Sequence, residues 1–135
     1  MRESIIDTDI ISFYFKGDLN VRVAFSDYID FFDQINIPII TYYEIIAGLK
    51  HKDAKMQLKK FEDFVDSHNV LYVSKKSARV SGEIFSNLKK RGVSVGASDL
   101  LIAGIAITHD LTLITNNEKD FKFIPGLRIK NWKKN

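Results

Sequence analysis

Residues 95–121 read VGASDLLIAGIAITHDLTLITNNEKDF, a candidate buried helix followed by a short strand. The block from Leu100 to Ile107 is apolar on nearly every side, which is typical of a helix enclosed by protein. Ser98 is a favourable N-cap, so Asp99 falls in the first helical turn, where the helix dipole favours negative charge. Residues 111–115, LTLIT, form a β-type run. A helix joined to a strand by a short loop is half of a βαβ unit and predicts a parallel sheet.

Asp99 has two interpretations at this position. An acid in the first turn of a helix can serve only to stabilise the helix start. It can also bind a metal ion, because α/β folds present ligand-binding side chains at the carboxyl ends of their parallel strands. The other acids of the chain decide between these interpretations.

Strands alternate with helices along the whole sequence. Besides residues 111–115, strands are predicted at residues 4–7, 36–40, 70–73 and 127–129. Helices are predicted at residues 10–15, 21–32, 41–48, 54–67, 76–91 and over the apolar block. Pro38 places the second strand near an edge or at a strand start. We therefore expect one α/β domain over residues 1–135, with a central, mostly parallel sheet of about five strands flanked by helices.

The composition is that of an ordinary globular protein. The 135 residues are 45% apolar and 27% charged, which suffices for one substantial core. Cysteine is absent, which excludes disulfides and thiolate metal sites. No apolar run is long enough to span a bilayer, and the first residues do not resemble a signal peptide. A soluble, cytoplasmic protein with no membrane partner is expected.

The net charge is +3, and the basic residues occur in small groups such as residues 89–91 and 130–134. Solvated helix faces commonly carry such groups. A surface that holds phosphates is the alternative, because phosphate binding requires clustered lysine and arginine. Charge alone leaves both interpretations open.

Asp7 occupies a position comparable to that of Asp99. It directly follows the first strand and precedes a short apolar helix. Thr8 or Asp9 is the expected cap of that helix, and we predict that Asp7, one residue earlier, is a poorer cap and a better ligand.

Glu44 is the third acid at such a position, one turn into the helix that follows the second strand. Its structural interpretation is a capping box, because Thr41 and Glu44 have the Thr-x-x-Glu spacing of that motif. The functional interpretation is a carboxylate that converges with Asp7 and Asp99 on one point.

Clustered carboxylates without histidine or cysteine suit Mg²⁺ or Mn²⁺. Two like charges about 4 Å apart repel by roughly 4 kcal/mol at an effective dielectric near 20, so the cluster requires a cation or a proton. The three histidines, His51, His68 and His109, lie at predicted element ends without metal-ligand spacing or a nucleophile partner. The sequence contains neither a Gly-x-Gly-x-x-Gly nor a Walker-type loop, so a nucleotide cofactor has no support.

Four motifs together resemble those of PIN domains, and most closely the VapC toxins of bacterial and archaeal toxin–antitoxin pairs. In chain order they are DTD at residues 7–9, YEIIAGL at 43–49, GASDLLIA at 96–103, and TNN at 115–117 ahead of DF at 120–121. Each motif is weak alone, but the order and spacing of all four are specific, and the resemblance covers essentially the whole chain.

The resemblance implies a PIN-like fold and an endoribonuclease that depends on Mg²⁺ or Mn²⁺ and cleaves phosphodiester bonds with metal-activated water. Asp7, Glu44 and Asp99 match the three metal-binding acids of the family. Asn117 stands at the fourth acidic position, where it contributes no charge and puts a second metal site in doubt. Thr115 would orient water or an acid. The expected products carry a 5′-phosphate and a 3′-hydroxyl.

The resemblance also implies partners: an RNA substrate, a VapB-like antitoxin whose tail occupies the acidic cleft, and a second copy in a homodimer. Asp9 would brace the first loop, and Asp120 is interpreted as structural. Two alternatives stay open. One is a PIN-like module that binds RNA or protein without cutting, and the other is a phosphatase of the haloacid dehalogenase type with Asp7 as nucleophile and Asp9 as general acid.

Overall fold

A five-stranded parallel sheet forms the centre of the computed structural model, which describes residues 1–134. Its strands are β1 (Ser4–Ile6), β2 (Asn36–Pro38), β3 (Asn69–Leu71), β4 (Thr112–Ile114) and β5 (Ile129–Lys130). They lie in the order β3-β2-β1-β4-β5, and every neighbouring pair is parallel. The predicted α/β class and the predicted sheet of about five strands are confirmed.

Helices connect the strands. They are α1 (Thr8–Phe15), α2 (Leu19–Phe32), α3 (Ile39–His51), α4 (Lys55–Asp66), α5 (Lys75–Lys90), α6 (Ala97–Thr108) and α7 (Glu118–Phe121). The first six correspond to predicted helices, whereas the short α7 was not predicted. Among the described residues, no helix has the length and apolar character needed to cross a membrane.

The two faces of the sheet bury separate cores. Ile5 and Leu113 pack with α5 and α6 on one face, whereas their neighbours Ile6 and Ile114 pack with α1, α2 and α4 on the other. Successive side chains of a strand point to opposite faces, so a short strand such as β1 supplies both cores. The sheet is therefore covered on both sides, and its strand ends remain as the place for a site.

Close packing of α5 against α6 fixes the position of α6. A Cβ atom added to Gly104 would lie 2.0 Å from Ser81 Oγ and 2.5 Å from the Ser77 carbonyl oxygen. The Ser81 hydroxyl donates to the Leu100 carbonyl at 2.7 Å. Only glycine permits this approach, which holds the first turn of α6, and with it Asp99, in one place.

Pro38 differs from its prediction, because β2 is an interior strand between β1 and β3. Pro38 is the last residue of β2 and the N-cap of α3. The missing proline N–H therefore falls where the strand ends and a helix begins, so it interrupts neither element.

Candidate active site

Asp7 and Thr115 meet at the carboxyl edge of the sheet. Each directly follows a strand, and the ends of those strands are paired in register through Ile6 and Ile114. The Asp7 N–H donates to the Ile114 carbonyl at 2.9 Å, which continues the pairing one residue beyond the strands. Parallel pairing of β1 with β4 thus joins two motifs that are more than a hundred residues apart.

The Asp7 carboxylate is held on both oxygens and is only 6% exposed. Oδ1 accepts from the Thr8 N–H at 2.8 Å, and Oδ2 accepts from the Thr115 hydroxyl at 2.8 Å. Thr115 is fully buried, and its Oγ1 accepts from the Asn117 N–H at 2.9 Å. The Thr115 hydroxyl therefore fixes one oxygen of Asp7, and the role of Thr115 in orienting water or an acid stays a prediction.

The prediction that Asp7 is a poorer cap than Thr8 or Asp9 is wrong. Helix α1 begins at Thr8, two residues before the predicted start, and Asp7 is its N-cap. Capping and ligand binding are compatible here, because each Asp7 oxygen accepts one hydrogen bond and keeps a further lone pair for a ligand.

Glu44 reaches the same edge from α3. The Thr8 hydroxyl donates to Glu44 Oε1 at 2.6 Å. The capping-box interpretation of Glu44 is wrong, because α3 begins at Ile39 and Thr41 lies inside its first turn. The early start results from Pro38, whose fixed φ and extended backbone let the helix follow β2 directly.

Asp99 lies in the first turn of α6, as predicted, but its predicted cap is wrong. Gly96 is the N-cap, and Ser98 is the second residue of the helix. Burial and the negative charges of Asp120, Glu44 and Asp9 raise the pKa of Asp99 to about 6. The pKa of Asp99 thus depends on the charges of acids from three other segments of the chain.

The pKa of Asp7 is raised to about 7. Burial is the main cause, followed by the negative charge of Asp9, and the charge of Asp99 adds to both. Hydrogen bonds from Thr115 and Thr8 oppose the increase. Among the described residues, no lysine, arginine or histidine forms an ion pair with Asp7, Glu44 or Asp99. The site is an anionic cluster without an internal counterion.

Asp120 has a closer relation to the site than the sequence indicated. Its charge acts on Asp99 more strongly than that of any other acid. Asn117, at the fourth acidic position of the family, donates from Nδ2 to Asp120 Oδ2 at 2.8 Å. An asparagine three residues before an acid at the start of α7 was the available signal for this pair.

Asp9 was predicted to brace the first loop, and its hydrogen bond joins it to the segment after β4. Its Oδ2 accepts from the Asn116 N–H at 3.1 Å, whereas its Oδ1 is buried and has no hydrogen-bond partner in the part of the chain that the structure describes. Burial raises the pKa of Asp9 as well. An unpaired buried carboxylate oxygen is costly unless it is protonated or gains a partner.

The chemistry of the cluster suits a hard divalent cation, since all of its donors are carboxylate oxygens. In their present positions, however, the side chains of residues 1–134 include no group of three acids or histidines close enough to hold one ion. Binding therefore requires side-chain rotation. Asp99 and Glu44 are only partly buried, so they have room to rotate towards the fixed Asp7.

A groove lies elsewhere on the molecule. It encloses about 960 Å³ beside α2 and β5, and Leu19, Val23, Ile129 and Trp132 are among the residues that line it. Its lining includes none of the three predicted metal-binding acids. Asp7, Glu44 and Asp99 therefore lie outside this groove.

Known proteins are similar to this chain in sequence and in architecture. A model of the PIN domain family matches residues 4–127. The chain is 35% identical to the ribonuclease VapC of Rickettsia bellii, over 93% of this chain and 92% of that one. It is 32% identical to the tRNA(fMet)-specific endonuclease VapC of Shigella flexneri, over 98% of this chain and 99% of that one.

A solved structure gives the same result. The crystal structure of DNA-bound VapBC from Salmonella typhimurium matches with a TM-score of 0.87 at 31% identity, over 98% of this chain and 99% of that one. The predicted PIN-like fold and the predicted resemblance to VapC proteins are confirmed.

Proposed function

This chain belongs to the PIN domain family, and we propose that it is a metal-dependent endoribonuclease of the VapC type. The observation that carries this proposal is the meeting of Asp7, Glu44 and Asp99 at one edge of the sheet, without a basic side chain among them. Buried like charges that lack a counterion are costly, so their retention favours a functional role.

Asp7, Glu44 and Asp99 would hold the ion, which we propose to be Mg²⁺ or Mn²⁺. When bound, such an ion activates water and stabilises the negative charge that develops on a phosphodiester. Asp7 supplies the fixed ligand, because Thr8 and Thr115 already orient its two oxygens. The raised pKa values of Asp7 and Asp99 mean that a divalent cation would displace protons and relieve repulsion at the same time.

Asn117 and Asp120 would act at the rim of the site. Asn117 adds no charge, but its bond to Asp120 holds that carboxylate near Asp99. Because Asn117 adds no charge at the fourth acidic position, we propose one principal ion. Asp120 is an additional source of negative charge.

RNA is the proposed substrate. The exposed Lys119 and Lys122 flank Asp120 at α7 and are available for the RNA backbone. Binding through such residues weakens as salt increases, because phosphate contacts release counterions. Selection among RNAs would come from loop shape and unstacked bases, which single-stranded regions offer.

A VapB-like antitoxin is the proposed protein partner, and a homodimer in the cytoplasm is the proposed form of the free protein. Solved VapBC complexes support the first proposal, because they match this chain over nearly its whole length. Co-expression with the antitoxin should give a stable complex with lower nuclease activity than the free protein.

The nuclease proposal is tested by incubating a mixed RNA pool with wild-type protein and with Asp99→Asn, each with Mg²⁺ and with EDTA. Asp63→Asn is the matched control, because Asp63 is an exposed carboxylate that pairs with Lys59 on α4. Discrete cuts by the wild type and by the control, only with Mg²⁺, are expected. The cuts should bear 5′-phosphates, and Asp99→Asn should reduce cutting at least about 10³-fold.

Cutting that survives Asp99→Asn or the chelator would contradict the proposed site. Metal-independent RNA binding without any cutting would instead favour the non-cleaving PIN-like module. The phosphatase alternative loses its support, because the chain belongs to a different family. Full activity of Asp9→Asn would exclude Asp9 as the general acid that the phosphatase requires.

A further inference from the structure

Thr8 contacts two of the three proposed metal-binding acids. Its backbone N–H donates to Asp7 Oδ1 at 2.8 Å, and its hydroxyl donates to Glu44 Oε1 at 2.6 Å. Asp7 follows β1, whereas Glu44 lies on α3, so Thr8 joins two separate elements of the site. We infer that Thr8 is a positioning residue that sets the orientation of Glu44 relative to Asp7.

The hydroxyl of Thr8 has a second neighbour, Thr41, whose Oγ1 lies 3.0 Å away. Thr41 is fully buried on α3, three residues before Glu44. A hydroxyl carries one proton, so when Thr8 donates to the carboxylate it must accept from Thr41. The result is a chain of two hydroxyls, from Thr41 through Thr8 to Glu44, in which each bond strengthens the next.

This chain acts on a side chain that otherwise has considerable freedom. Glu44 is partly exposed, and in the described residues its hydrogen bonds to protein involve only Oε1. Fixing Oε1 leaves Oε2 available and limits where it points. The negative charge of Glu44 raises the pKa of Asp99, so the two carboxylates lie within electrostatic range of each other. Hydrogen bonds to a ligating carboxylate orient it for the metal, and losing one typically costs about 10- to 100-fold in metal affinity.

The inference rests on the proposed function, and Mn²⁺ binding tests both. The affinity of Mn²⁺ alone is measured by calorimetry for wild type, Thr8→Val, Thr8→Ser and Thr41→Val. Thr112→Val is the matched control, because Thr112 is a buried threonine whose hydroxyl contacts Arg128 rather than an acid. Valine keeps the shape of threonine and the N–H that donates to Asp7, so Thr8→Val removes only the hydroxyl.

Thr8→Val should bind Mn²⁺ about 10- to 100-fold more weakly than wild type, while Thr8→Ser should recover most of the affinity. Thr41→Val should have a smaller effect, since Thr8 can still donate to Glu44. Thr112→Val should match the wild type. In RNA cleavage, Thr8→Val should lower kcat with little change in KM, because the hydroxyl contacts a metal-binding acid rather than RNA.

Two results would overturn the inference. One is equal Mn²⁺ affinity of Thr8→Val and wild type, and the other is a Thr8→Ser variant as weak as Thr8→Val, which would mean that a hydroxyl at this position does not restore metal binding. Thermal unfolding of each variant separates a local change from loss of fold. Absence of Mn²⁺ binding in the wild type itself would contradict the proposed function and the inference together.

Discussion

The contact between α5 and α6 and the acidic edge of the sheet affect the stability of the fold in opposite directions. Between the helices, Gly104 leaves just enough space for Ser81, whose hydroxyl bonds the Leu100 carbonyl. At the acidic edge, Asp7 is buried and Asp99 is partly buried near other acids, and both pKa values are raised. The packed face, which is the contact between α5 and α6, thus stabilises the fold, whereas the acidic edge destabilises it. Such local conflict is expected where a protein binds a ligand.

Removing one buried charge from the acidic edge should have the largest effect on the free energy of unfolding. Asp7→Asn should stabilise the metal-free protein at pH 8. A pKa raised from 3.8 to about 7 corresponds to as much as about 4 kcal/mol between the protonation states of Asp7. Asparagine can still accept from the Thr8 N–H. Urea unfolding in EDTA measures the gain.

The gain should depend on pH in a defined direction. Between the unfolded and folded pKa values of Asp7, the folded state binds more protons than the unfolded state, so wild-type stability falls as pH rises from about 4 to 7. The advantage of Asp7→Asn should therefore be smaller at pH 5 than at pH 8. An equal advantage at both values, or a less stable variant at pH 8, would contradict this account of the edge.

A substitution in the packed face should destabilise the protein, whereas Asp7→Asn should stabilise it. Gly104→Ala should destabilise the protein by about 3 kcal/mol, because the new Cβ would overlap Ser81 and a backbone oxygen of Ser77. Gly82→Ala, on the same helix as Ser81 and with open space around it, is the control and should stabilise by up to about 1 kcal/mol. Similar effects of the two substitutions in urea unfolding would mean that the helices are less tightly packed.

Binding of a divalent ion should offset the loss of folding stability that the acidic edge causes. Mg²⁺ at a hundred times its Kd should stabilise the wild type by about 2.7 kcal/mol, since it binds the folded state alone. Asp99→Asn should gain far less, because one of the three proposed ligands is lost. Thermal unfolding with and without Mg²⁺ makes the comparison, and equal gains for both proteins would remove Asp99 from the metal site.

The smallest effect is expected for an acid outside both regions. Asp63 pairs with Lys59 at 3.3 Å, and both side chains are mostly exposed. Asp63→Asn should change the free energy of unfolding by less than about 0.5 kcal/mol. A change as large as that of Asp7→Asn, measured in the same urea titration, would mean that carboxylates affect stability regardless of where they lie.

Both the packed contact of α6 and the gathering of the three acids at one edge could be predicted from local sequence patterns. Apolar blocks such as Leu100 to Ile107 can only be satisfied by burial, and acids directly after strands or in first helical turns must gather at one edge of a parallel sheet. The helix starts were less predictable. Helices α3 and α6 begin at Ile39 and Ala97 because extended backbone at the preceding residues allows it, not because of side-chain caps.

Contacts across the fold were beyond the reach of the sequence. The bond from Thr8 to Glu44 spans 36 residues and depends on how α1 meets α3. The charge of Asp120 reaches Asp99 only because the chain turns back after β4 into α7. Local patterns cannot specify such distances, since they are set by packing between elements distant in sequence.

The most direct test of the metal site is a crystal structure of the wild-type protein soaked in Mn²⁺, with the ion located by its anomalous scattering. A peak contacted by oxygens of Asp7, Glu44 and Asp99 is expected, with Glu44 or Asp99 rotated from its present position. A peak at another place, or a saturating Mn²⁺ soak that leaves the acidic edge without one, would contradict the central claim.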